Sequence, residues 1–129
     1  VSKKQEYYKV VSVENGKLFS YAKDSLPANL QMQYYVHRPV TATVGGLLVF
    51  NSLDFAIHTW RSYGDRRIYR CTVRDEIQLP TYRVEFDWDL KFYEFEDCWG
   101  NDLSKIRVRA PWPVGTCAFK TVTLRERIK

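Results

Sequence analysis

The chain has little of what would place it in a membrane or a secreted framework. Nowhere does an apolar run approach the ~18 residues needed for a spanning helix. The start, VSKKQEYY, has no basic-apolar-small leader pattern. It also has no Met, which suggests trimming, and a removed leader stays open. No Asn-x-Ser/Thr site occurs. There are only three cysteines, Cys71, Cys98 and Cys117, an odd number with no pair at metal-site spacing. That spacing favours free thiols in a reducing, intracellular compartment, with one disulfide plus one thiol as the alternative. With His37 and His58 the only histidines, no metal site and no cofactor are expected. Six glycines and five prolines are scattered singly or in pairs. No repeat, linker or low-complexity tract appears, and 1–129 reads as a single domain.

Aromatic residues, by contrast, are plentiful: four Trp, nine Tyr and seven Phe in 129 residues. Each buries much area, and Tyr and Trp also tolerate half-wet positions, so a core and a binding surface could share them. Net charge is +5, unevenly placed: +6 over 1–74, −7 over 75–102 and +6 over 103–129. A basic balance favours anionic partners. The acidic block could complement the basic ones within the fold or on a neighbour.

Local patterns predict an α+β fold: a mixed or mainly antiparallel sheet of about seven or eight short strands, with one main helix (about 52–62) packed on one face. Asn15–Gly16 predicts a type I′ turn, because both residues accept positive φ. The hairpin then puts Val11, Val13 and Leu18 on one face and Tyr8, Val10 and Phe19 on the other. Residues 31–37 read as extended, with Pro39 ending the strand, and 40–46 as either a strand or a loop. GLLVF (46–50) reads as a buried strand. Asn51 reads as a helix N-cap, with Asp54 three residues on and a Phe50/Phe55 staple. Leu53, Ala56, Ile57 and Trp60 recur at helical spacing. In 66–73, Tyr69, Cys71 and Val73 alternate with Ile68, Arg70 and Thr72. A turn region is expected at 75–82. Residues 84–92 alternate cleanly, with Glu85, Asp87 and Asp89 on one face. A strand covers 106–110, a rigid loop 111–116, and a last strand 120–128 carries Val122 and Leu124 on one face.

Candidate chemistry follows from these placements. Arg61, Arg66, Arg67, Arg70 and Arg74 run from the helix end through the next strand. Lys105, Arg107 and Arg109 form a second basic run, with Trp112 beyond it. Arg and Lys neutralise phosphates and an aromatic stacks on bases, so both runs are candidate partner- or phosphate-binding sites. No RNA- or DNA-binding signature accompanies them. Glu85, Asp87 and Asp89 are an acidic surface whose carboxylates could instead hold a cation or divide acid and base roles. Cys98, flanked by acids in EDCWG, is poorly placed to form a thiolate. His37, Tyr69 and Glu85 or Glu94 follow the residue order of ADP-ribosyltransferase-like enzymes by analogy only. The leading expectation is a non-enzymatic interaction domain, binding a protein partner or self-associating through aromatic, basic and acidic surfaces. Nucleic-acid or nucleotide binding is the first alternative and a small hydrolase or transferase the second.

The Y-K-V opening at Tyr8–Val10, the strand-to-helix junction from Val49 to Ala56 (V-F-x-S/T-x-x-x-A) and the G-T…V-x-L close from Gly115 to Leu124 resemble a loosely defined group of small domains. These occur in phage, giant-virus and bacterial proteins of unknown function. The resemblance spans most of the chain, but 75–102 matches poorly. It implies one α+β domain, virus- or phage-encoded, and supplies no activity or catalytic residues.

Overall fold

The computed structural model describes residues 5–20, 32–43, 45–60, 65–80, 83–84, 99 and 109–129. The strands are β1 (Tyr7–Glu14), β2 (Lys17–Ser20), β3 (Gln33–Tyr34), β4 (Pro39–Thr41), β5 (Leu47–Phe50), β6 (Arg66–Ile77), β7 (Arg83–Val84), β8 (Arg109–Ala110) and β9 (Thr116–Arg127). The helix α1 spans Leu53–Trp60. Strands β1–β6 and β9 form one seven-stranded sheet in which all described pairings are antiparallel, while β7 and β8 pair apart from it.

Two long-range pairings close that sheet into a small barrel. β6 lies along β1 on one side and along β9 on the other. β5 joins β9 over Leu47–Phe50 and meets β1 at Tyr8↔Phe50. The ring β1–β6–β9–β5 is thus complete, and a closed ring leaves its member strands no free edge. β2 and β3 extend the β1 wall, and β4 extends the β9 wall. Among the described residues the main sheet has seven strands with α1 packed on it, close to expectation, but the β7–β8 pair brings the strands to nine and one face of the sheet is a barrel interior.

Alternation decides which residues enter that interior. Val11, Leu18, Tyr34, Leu47, Val49, Tyr69, Cys71, Phe119, Val122 and Leu124 are buried there together, with Val13 and Val73 partly buried against them. The other parity of β1 and β6, Val10 and Ile68, faces outward under the helix. Phe50 and Ala56 complete that second core, with Tyr8, Leu53, Ile57 and Trp60 packed around it. The Trp60 indole N–H donates to the Arg66 carbonyl at 2.9 Å, fixing the ring over the start of β6. Asn15 and Gly16 adopt φ of 52° and 76°, as a type I′ turn requires. Val13 faces Leu18 and Ser12 faces Phe19, the predicted register.

Several local expectations need correction. The first backbone bond of α1 runs from Ala56 N–H to the Ser52 carbonyl, so Ser52, not Asn51, is the half-in residue. Asp54 still lies in the first turn, where a carboxylate favours the helix dipole. Phe55 is exposed and turned toward Gly115, rather than joined to the Phe50 core. Pro39 does not end a strand: it opens β4, opposite Thr123. β6 continues through Asp75 to Ile77 where a turn was expected. There φ is +61° at Asp75, and on β9 both Phe119 and Val122 enter the core. A strict two-residue period breaks in such a stretch, which is why sequence alternation missed it. Arg61, Glu85, Asp87, Asp89, Lys105 and Arg107 lie outside the described residues, as do most of the strand expected at 84–92 and the last residues of the helix expected at 52–62.

Candidate interaction surfaces

The predicted basic run divides between two sides of β6. Arg66 and Arg70 share the parity of Ile68, on the side away from the barrel interior. Arg67 shares the parity of Tyr69, and its Nε is buried without a hydrogen-bond partner. Arg70 faces Glu126 across the ladder and is paired with it at 3.3 Å. Arg109 pairs with Val84 in the small β7–β8 ladder. Trp112 is half-buried; its indole N–H donates to the Pro80 carbonyl at 2.8 Å, and its ring lies 6.1 Å from that of Trp99. The structure therefore does not gather Arg66, Arg67 and Arg70 on one face. Tyr69 is buried in the barrel core while His37 is exposed on a turn. Among the described residues no group of three His, Cys, Asp or Glu side chains could hold a metal ion. Cys71 and Cys117 are free thiols, and burial pushes the Cys71 thiol up to about 12. Burial foremost, and then Glu76, also raise Cys117. Neither is set up as a nucleophile.

A surface that the alternation pattern did not reveal lies at the β3–β4 turn. Arg38 N–H donates to the Tyr35 carbonyl at 3.0 Å, closing a four-residue turn with His37 at φ +70°. His37 N–H donates to the Leu124 carbonyl at 2.8 Å, which ties the turn to β9. The turn exposes two large apolar side chains, Tyr35 (49%) and Val36 (38%). The Arg38 guanidinium sits 5.3 Å from the Tyr35 ring centre, within cation–π range. With Lys17 and Leu18 on β2, these residues border a concavity of about 410 Å³ whose described lining has two basic and no acidic residues. The only sequence signal was the QYYVHR composition, an aromatic pair followed by a cation.

A second concavity, of about 300 Å³, crosses the outer face where β4 and β6 flank β9. Thr72, Thr121 and Thr123 line it between Arg74 and Arg125. Thr121 and Thr123 are buried, and the Thr121 and Thr41 hydroxyls lie 3.1 Å apart.

Inside the barrel Lys9 is only 5% exposed. On one side β1 meets β5 at Tyr8 and β2 from Val11 onward, so its neighbour changes near Lys9. The Lys9 Nζ donates to the Leu48 carbonyl at 2.7 Å, across that fork, and lies 5.4 Å from the Tyr34 ring centre. Burial lowers its pKa to about 8. Burial likewise raises Tyr34; Ser20 beside it offsets part of the shift, although the Tyr34 hydroxyl has no hydrogen bond of good geometry.

Comparisons with family models, curated proteins and solved structures find no match to this chain. No helix among the described residues is long and apolar enough to cross a membrane.

Proposed function

We propose that this chain is a non-enzymatic interaction module that binds through the Tyr35–Arg38 turn. The observation that supports the reading is the exposed Tyr35–Val36 pair, stacked with Arg38 and set beside Lys17 in one basic concavity. Aromatic and arginine side chains of this kind are the usual anchors of protein interfaces. Two cations, with no acid among the described lining residues, favour an acidic partner segment. The chain's own 75–102 block, at −7, has that chemistry, so a second copy is the partner proposed.

Sedimentation velocity over a concentration series tests this. Association is expected at ~50 mM salt and should weaken as salt screens the charges. The double variant Tyr35→Ser/Arg38→Glu should remain monomeric. A wild-type monomer at every concentration and salt would reject self-association.

A further inference from the structure

The register of β6 against β9 slips by one residue between Arg70 and Cys71. Cys71 faces Leu124 but Arg70 faces Glu126, which leaves Arg125 as the extra residue of a β-bulge. Without the slip Arg125 would stand opposite Arg70, and like charges directly across a ladder are unfavourable. The bulge replaces that pairing with the Arg70–Glu126 ion pair at 3.3 Å. It also releases Arg125 to lean over the neighbouring row, where its Nε donates to the Thr72 hydroxyl oxygen at 3.2 Å. Bulges are common devices for re-aiming a side chain at a site.

The row it reaches is suited to an anion. Arg125 keeps both terminal guanidinium nitrogens after its Nε bond to Thr72. Thr72, already accepting that bond, has its own O–H hydrogen left to donate. Arg74 stands on the same side, 71% exposed; Asp75, 3.9 Å away and 69% exposed, is too solvated to neutralise it. Thr121 and Thr123 supply hydroxyls along the floor, and Pro39 walls the β4 side. Among the described residues no acidic side chain lines the groove. Guanidinium forks beside hydroxyl donors are the recurring chemistry of phosphate recognition. Among the described residues no aromatic side chain lines the groove, so they offer no platform for stacking bases.

We propose that the β4–β9–β6 groove, completed by the bulged Arg125, binds one phosphate group carried by a small molecule. This site is separate from the Tyr35–Arg38 surface and does not depend on its role. The test is amide NMR of the full chain titrated with pyrophosphate at constant ionic strength, with chloride as the balancing anion. Saturable shifts centred on Thr72, Arg74, Thr121, Thr123 and Arg125 are expected. Arg125→Ala should weaken binding roughly tenfold, as the loss of a charge-assisted hydrogen bond does. Thr72→Val should weaken it less, and Lys17→Ala, in the other concavity, should leave it unchanged. Shifts spread evenly over all basic residues, or equal affinity in Arg125→Ala, would overturn the proposal. So would a single-stranded oligonucleotide that shifts these amides when pyrophosphate does not, since that result assigns the groove to a polymer backbone.

Discussion

Lys9 lies in the centre of Y-Y-K-V-V, where a lone lysine between apolar residues reads as surface charge. Its parity, shared with Val11 and Val13, aims it inward, where the Leu48 carbonyl accepts from it and the Tyr34 ring lies beside it. Burial lowers its pKa from 10.5 to about 8, and the sign of the consequence follows. Below pH 8 both folded and unfolded chains carry the proton, and the folded state bears the full cost of a buried charge. As pH rises from 8 toward 10.5 the folded chain releases it first, so this group's contribution to stability rises, by about 2–3 kcal/mol at pH 10. Urea unfolding of wild type and Lys9→Met across pH 7–10 checks this: the stability difference between them should shift toward wild type with rising pH. A pH-independent difference would show that Lys9 titrates normally. The inward direction of Lys9 was legible from alternation. Its burial was not, because that needed the far sides of the ring.

At the level of elements, the best-read segments were those whose signals are local. Asn15–Gly16 specified its own turn and register, and the period of Leu53, Ala56, Ile57 and Trp60 specified the buried face of α1. The helix start was displaced by one residue because Asn51 and Ser52 are both competent caps. The β3–β4 turn was missed for a different reason. His37 holds φ +70° without being glycine, so no Gly or Asn announced it; the Leu124 carbonyl, distant in sequence, accepts its N–H. Left-handed backbone is costly for a residue with a Cβ. His37→Gly should therefore stabilise the protein by about 1 kcal/mol, the order of that penalty, with the turn preserved. Thermal or denaturant unfolding measures it, and a destabilised variant would mean that the imidazole makes contacts worth more than the strain.

For the whole molecule, the α+β class, a largely antiparallel sheet with α1 on it and the two faces of β1 and β6 could be read along the chain, but closure could not. β1–β6 and β6–β9 join residues 41 to 64 positions apart, and nothing in a local window encodes which strands meet. The candidate sites changed for the same reason. The arginines adjacent in sequence separated onto two sides of β6, while Arg125, far from that run, came to lie against Thr72. Likewise Tyr35 and Val36 mattered once the barrel left them outside.

Hydrogen exchange read by mass spectrometry on dilute and concentrated samples at low salt tests whether the Tyr35–Arg38 turn carries association. Exchange should slow on concentration in peptides covering 33–38 and 16–18, and in a peptide from 75–102, with β9 unchanged. Association that leaves 33–38 unprotected, or exchange that ignores concentration altogether, would contradict it.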